Sequence, residues 1–167
     1  MATFKPLEQM EKKYSIDSED FICSGDNGKI FRLDEDRVVK IPYNPFNKML
    51  CNGRQSQFNL FQEYKKQEFA VELGIKYPTP EGIFAIKYNE TGQYYPGIVM
   101  IHKAGSTLDK LCGEELREAI RQRDKELEKA RDLGVIVRDN HNNNALWDKK
   151  EICLLDAAGI EFATSFN

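Results

Sequence analysis

No stretch of this sequence approaches the ~18 consecutive apolar residues that a bilayer-spanning helix needs. The opening segment, MATFKPLEQMEKKYS, carries too many charges for a cleavable secretory signal. The four cysteines, Cys23, Cys51, Cys112 and Cys153, lie far apart and form no CxxC pair, which argues against zinc and for reduced thiols in a cytosol-like compartment. Neither sign of charge is in excess: 24 basic residues face 27 acidic ones, for a formal charge of -3. That balance removes the electrostatic case for nucleic acid or an anionic membrane as the main partner. Internal repeats and low-complexity linkers are also lacking. What is present is a globular composition, 41% hydrophobic and 31% charged over 167 residues. It suffices for one domain, or two small lobes, with a real core.

The pattern along the chain predicts an α+β fold. After a charged, amphipathic start, DFICSG, KIFRLD and RVVKIP read as three short strands of a meander, separated by SGDNGK and DED turns. NGRQSQFNLFQEYKKQEFAVELG predicts a helix with Gly74 as its stop. GIFAIKY and GIVMIHK are two further strands around the turn NETGQYYP. Beyond Gly105 the composition changes. EELREAIRQRDKELEKARDLG predicts a helix of roughly 20 residues with Leu116, Ile120, Leu127 and Leu133 near one face and charges on its solvated side. The boundary falls near His102 to Ser106, dividing the chain into 1–102, with five strands and a helix, and a mainly helical 103–167.

Four features carry chemistry. Gly25 and Gly28 flank a turn whose backbone N–H groups could face phosphate oxygens, though taken alone a plain hairpin turn is the ordinary explanation. Lys40 stands inside an apolar strand, where a solvent-facing lysine is the ordinary alternative. Glu63 or Glu68 on the following helix could hold it by a salt bridge. The fourth feature, VRDNHNNNALWDKKEICLLDAAG, is the most specific. Asp139, four intervening residues and Asn144 are followed by two short strands and Asp156. A carboxylate at Asp139 can orient an attacking hydroxyl, and Asn144 and Asp156 offer hard oxygens suited to Mg2+ on a nucleotide.

These residues resemble the protein-kinase fold in reduced form. The Asp139-to-Asn144 spacing is similar to the catalytic loop, and Asp156 resembles the start of the metal-binding Asp-Phe-Gly. SGDNGKIFRLDEDRVVKI resembles the glycine-rich loop and the strand of the ATP lysine. EYKKQEFAVELGIKYPTP resembles the helix C region of RIO-like and aminoglycoside-phosphotransferase-like members, and GIVMIHKAG resembles the hinge. The resemblance covers about residues 18 to 160. It implies a five-stranded antiparallel N-lobe with helix C over 1–102, and a truncated C-lobe over 103–167. It makes Gly25 and Gly28 part of the nucleotide loop, Lys40 the phosphate lysine and Glu63 its partner, with Glu68 the alternative. It makes the segment from Met100 through His102 to Lys103 the adenine strand, Asp139 the base, and Asn144 and Asp156 the metal ligands. ATP and Mg2+ are the implied cofactors.

Several departures bear on these expectations. Val137 stands where the family has histidine, and Ala157-Ala158 replace Phe-Gly. The sequence ends eleven residues after Asp156, without an activation segment, an Ala-Pro-Glu or later helices. The resemblance therefore implies a minimal serine/threonine protein kinase that needs an activating protein partner besides its protein substrate. This architecture is similar to the truncated type III effector kinases. The compartment is then the cytoplasm, or a host cell reached without a cleavable signal. A pseudokinase that acts by binding is the alternative. His141 is expected at the surface, Trp147 in the core, Asn142 and Asn143 in a turn, and Arg138 beside a local carboxylate.

Overall fold

The computed structural model describes residues 4–25, 27–43, 49–51, 54–101, 105–138 and 140–163, with side chains at 54–56 left aside. Asp139, His102 and Lys103 lie outside the described residues. The chain divides into two units, Met1–Lys65 with Pro80–His102, and Lys66–Thr79 with Lys103–Asn167. The division falls within the first helix, so residues 66–79 group with the second unit.

The first unit is built on one sheet of β1 (Tyr14–Ile16), β2 (Phe21–Ser24), β3 (Gly28–Arg32), β4 (Arg37–Pro42), β5 (Pro80–Tyr88) and β6 (Gln93–Ile101), ordered β1-β5-β6-β4-β3-β2. Helix α1 (Arg54–Glu72) follows β4. The turns are set by local chemistry. Asp34 accepts from the Asp36 N–H at 3.0 Å and from Arg37 Nε at 2.8 Å, closing the β3–β4 hairpin. Gly92, at φ 69°, donates its N–H to the Tyr88 carbonyl at 2.8 Å between β5 and β6. Alternate residues of β4 and β6 serve two cores, as the two-residue period of a strand requires. Val39, Ile41 and Val99 join Ile16, Phe31 and Ile86 in one; Val38, Ile98 and Met100 meet Leu60 and Tyr64 of α1 in the other.

The expected five-stranded antiparallel sheet is corrected to six strands of mixed direction. β1 pairs with β5 in parallel, Tyr14 opposite Ile86 and Ile16 opposite Tyr88. Three residues between charged segments are too short to show a period, and their partner lies some seventy positions away.

The second unit holds the helix α2 (Gly113–Asp132) and five strands of two or three residues. β7 (Ser106–Thr107), β9 (Ala145–Trp147) and β10 (Ile152–Leu154) form a sheet ordered β10-β9-β7, and β8 (Val135–Val137) pairs antiparallel with β11 (Ile160–Phe162). "Mainly helical" is thus corrected to mixed. Only the long helix has enough turns for its period to register in sequence, and the strands do not. Gly134, at φ 75°, ends α2 in the left-handed conformation that glycine adopts without strain. Ala119 and Ala130 of α2 share a core with Leu108, Trp147, Ile152, Leu154 and Ile160.

One connection in this unit is held from several sides. Between α1 and β5, the Lys76 N–H donates to Glu126 Oε1 at 2.9 Å, and Lys129 Nζ bonds the Gly74 carbonyl. Gln67 Nε2 donates to the Pro78 carbonyl at 2.6 Å, and the Leu154 N–H donates to the Lys76 carbonyl at 2.7 Å. Glu126 and Gln67 are themselves buried, so these bonds satisfy groups that would otherwise be costly inside the fold.

Candidate nucleotide and cation residues

Lys40 lies on β4, with Ile30 of β3 on one side and Ile98 of β6 on the other. Strand alternation sends its side chain to the same face as Val38, the face covered by α1. It is 7% exposed, so the solvent-facing alternative is overturned. The buried positions of α1 recur as Gln57, Leu60, Glu63, Tyr64, Gln67 and Ala70, one stripe at helical spacing that carries polar as well as apolar side chains. Glu63 is the stripe member that meets the lysine, Oε1 to Nζ at 2.6 Å, with side-chain exposures of 10% and 8%. Burying an ammonium is tolerable only with such a partner, because either charge alone would lose its hydration without return.

Met100, on β6 opposite Val38, is buried. Gly25 donates its N–H to the Gly28 carbonyl at 3.0 Å and closes the β2–β3 turn. Gly28 is itself buried opposite Pro42, and a Cβ there would run into the Ile41 carbonyl group. Its lack of a side chain is therefore already required by strand packing.

In the second unit, the loop after β8 is anchored at both ends. The Arg138 N–H donates to the Gly159 carbonyl at 3.0 Å, and its guanidinium meets Glu161 at 2.8 Å on the surface. Hydrogen bonding to Arg138 holds the Glu161 carboxyl below its ordinary value. Arg123 of α2 donates to Asn142 Oδ1 at 2.8 Å, fixing the turn Asn142–Asn144. His141 is exposed and Trp147 is buried. The β9–β10 hairpin follows, Ala145 opposite Leu154, and the Leu155 N–H donates to the Asn144 carbonyl at 2.8 Å. That bond sets Asn144 and the residues up to Asp156 side by side at the open end of the hairpin. Asp148 occupies the closed end, where its carboxylate accepts from the N–H groups of Lys150 and Glu151.

Asp156 adopts φ 47°, ψ 85°, a left-handed conformation that costs an ordinary residue about 1–2 kcal/mol. Its Oδ1 accepts from the Ala158 N–H at 3.1 Å and caps the short turn Ala157–Gly159. Strain held at a half-buried carboxylate is a feature that clusters at functional sites. Asn144 and Asp156 offer amide and carboxylate oxygens, the hard donors that Mg2+ prefers. Among the described residues there is no group of three or more His, Cys, Asp or Glu able to hold a metal by themselves. A pair of oxygens at one end of a hairpin fits a cation that keeps waters and shares a phosphate.

Sequence reasoning missed Tyr77. Its ring is in the core of the second unit, and its buried hydroxyl has no hydrogen-bond partner among the described residues. Burial first, then the charge of Asp156 and the Cys153 thiol, push the phenol well above its ordinary value, so it stays protonated. Nothing in IKYPTP signals this, since the neighbour of the hydroxyl lies some eighty positions away.

No protein-family model matches the chain, and no curated protein matches it in sequence. Solved structures do match in fold. A co-crystal structure of WbdD with the kinase inhibitor LY294002 superposes with a TM-score of 0.60 at 16% identity, covering 85% of this chain and 33% of that one. A crystal structure of WbdD gives 0.60 at 19% identity, covering 84% and 32%. A third, of the bifunctional kinase-methyltransferase WbdD, gives 0.57 at 18% identity, covering 84% and 31%. The chain spans about a third of the length of these neighbours and shares a kinase-like fold with them. Among the described residues no helix is long and apolar enough to cross a membrane.

Proposed function

We infer that this chain is a kinase-like phosphotransferase acting with ATP and Mg2+. The observation that carries the reading is the buried Lys40–Glu63 pair on a central strand. A lysine held at 2.6 Å by a helix glutamate is a fixed positive charge of the kind that cradles nucleotide phosphates. Fold similarity to a kinase-methyltransferase supports it, as does the placement of Asn144 and Asp156 at the open end of the β9–β10 hairpin.

In this reading Lys40 neutralises the α/β-phosphates, Glu63 keeps it extended, and Asn144 and Asp156 hold the cation. Bound Mg2+ would supply charge neutralisation on the transferring phosphoryl group. Asp139 orients the acceptor hydroxyl and takes its proton, and the segment from Met100 to Lys103 holds the adenine. Catalysis then rests on positioning and charge, with little covalent chemistry asked of the protein. The acceptor is a serine or threonine on a protein, and a further protein activates the chain. The closed Gly25–Gly28 turn favours a second reading, a pseudokinase that binds without transfer, because the Gly25 N–H is already engaged.

The test is thermal unfolding with ATP, with and without Mg2+, followed by transfer to an acceptor. ATP at 100 times its dissociation constant should stabilise the wild type by about 2.7 kcal/mol. The Mg2+-dependent part should vanish in Asp156→Ala. Transfer that disappears in Asp139→Ala supports the enzyme; binding without transfer in the wild type leaves the pseudokinase.

A further inference from the structure

A buried hydroxyl with no acceptor is an expensive feature, since its lost hydration is not returned. Tyr77 has such a hydroxyl in a segment whose backbone is fixed. Its neighbour Lys76 is bonded through its N–H to Glu126 and through its carbonyl to the Leu154 N–H. The second bond ties this segment to the end of β10, two residues before Asp156. Ala157, next along the chain, shares a core with the Tyr77 ring. The backbone tie and the shared core place Tyr77 in the same part of the second unit as Asp156.

We propose that Tyr77 is a positioning residue for the cation site: its O–H donates to the Asp156 carboxylate, or to a water that this carboxylate and the cation hold, once a divalent cation is bound. The proposal rests on Asp156 being a cation ligand, as inferred above. The Asp156 carboxylate already accepts from the Ala158 N–H through Oδ1. A further donor would help fix which oxygen faces the metal, and partners of this kind tune metal affinity without touching the ion. The phenol is a suitable donor, since a tyrosine O–H carries its proton at neutral pH. The other buried orphan among the described residues is the Trp147 indole N–H on β9.

Tyr77→Phe removes one oxygen and leaves the ring. Mg2+ is titrated calorimetrically into wild type, Tyr77→Phe and Asp156→Ala, each saturated with ATP, and the unfolding midpoint of each is measured without metal. Tyr77→Phe should keep or raise the metal-free midpoint, because it deletes an unsatisfied buried group. Its Mg2+ affinity should fall about tenfold or more, the loss typical of an outer-shell partner. Its ATP affinity without Mg2+ should be unchanged. Equal Mg2+ affinity in wild type and Tyr77→Phe, with Asp156→Ala abolishing it, overturns the Tyr77 assignment while the nucleotide reading stands. Equal weakening of ATP with and without metal also overturns it, as a mere packing effect. A wild type that takes up no Mg2+ with ATP overturns both.

Discussion

Lys40 and Asp156 hold their charges in opposite ways. In the first unit the charge is buried in a sheet and answered by another charge, so the pair is complete within the fold. In the second, the carboxylate sits half-exposed on a strained backbone with its Oδ1 accepting from the Ala158 N–H, and the Tyr77 hydroxyl of the same unit is buried with no partner among the described residues. The first arrangement is built before any ligand arrives, and its cost is met by packing. The second leaves one buried hydroxyl, that of Tyr77, unsatisfied. Charge alone does not mark a binding residue; the state of its surroundings does.

That contrast can be broken most forcefully at the ion pair. Glu63→Ala removes the carboxylate that meets the buried Lys40 ammonium and should cost about 3–5 kcal/mol in urea unfolding. The double replacement Lys40→Met with Glu63→Leu should restore most of that stability while ATP stabilisation stays lost. A double variant as unstable as Glu63→Ala would mean that the pair also organises the sheet. A smaller effect is expected at Gly28→Ala, where the added methyl meets the Ile41 carbonyl across β3 and β4. Overpacking of this kind typically costs about 1–3 kcal/mol, read as a lower denaturation midpoint. An unchanged midpoint would return Gly28 to a role in the nucleotide turn alone.

The smallest effect belongs to Arg138–Glu161, an exposed pair in the second unit. Glu161 has its carboxyl held below the ordinary value by Arg138, so its contribution is present above the unfolded value and is lost as pH falls through the lower folded one. Solvent screening keeps the contribution small. Glu161→Gln should therefore leave the unfolding midpoint at neutral pH nearly unchanged and slightly flatten its fall in acid, followed by circular dichroism. A large drop at neutral pH would show that this surface pair, too, is part of the fold's internal accounting.

Much of the fold was legible because its elements are long or sharply punctuated. The β2–β4 meander is marked by glycine and aspartate turns, α1 and α2 by length and a terminal glycine, and β5–β6 by the turn at Gly92. β1 was illegible because its pairing is parallel and remote, and the strands of the second unit because three residues cannot display a period. The burial of Lys40 was hidden for a different reason. Both faces of RVVKIP are covered, so the alternation that separates inside from outside has nothing to report. Glu63 was recoverable only as one of two candidates, since Gln57 and Gln67 on the same stripe are polar and buried as well. The spacing of Asn144 and Asp156 was legible, but not the backbone bond that aligns them.

The left-handed backbone at residue 156 also narrows what evolution or a designer can place there. Glycine, asparagine and aspartate tolerate that conformation, whereas β-branched and bulky residues are strongly disfavoured. Glycine offers no ligand, and asparagine offers a neutral one. Glutamate, the usual conservative replacement for an acid, combines a poorly tolerated backbone with a longer reach. Backbone shape and, in the proposed reading, cation chemistry are thus two independent filters on position 156, and aspartate passes both.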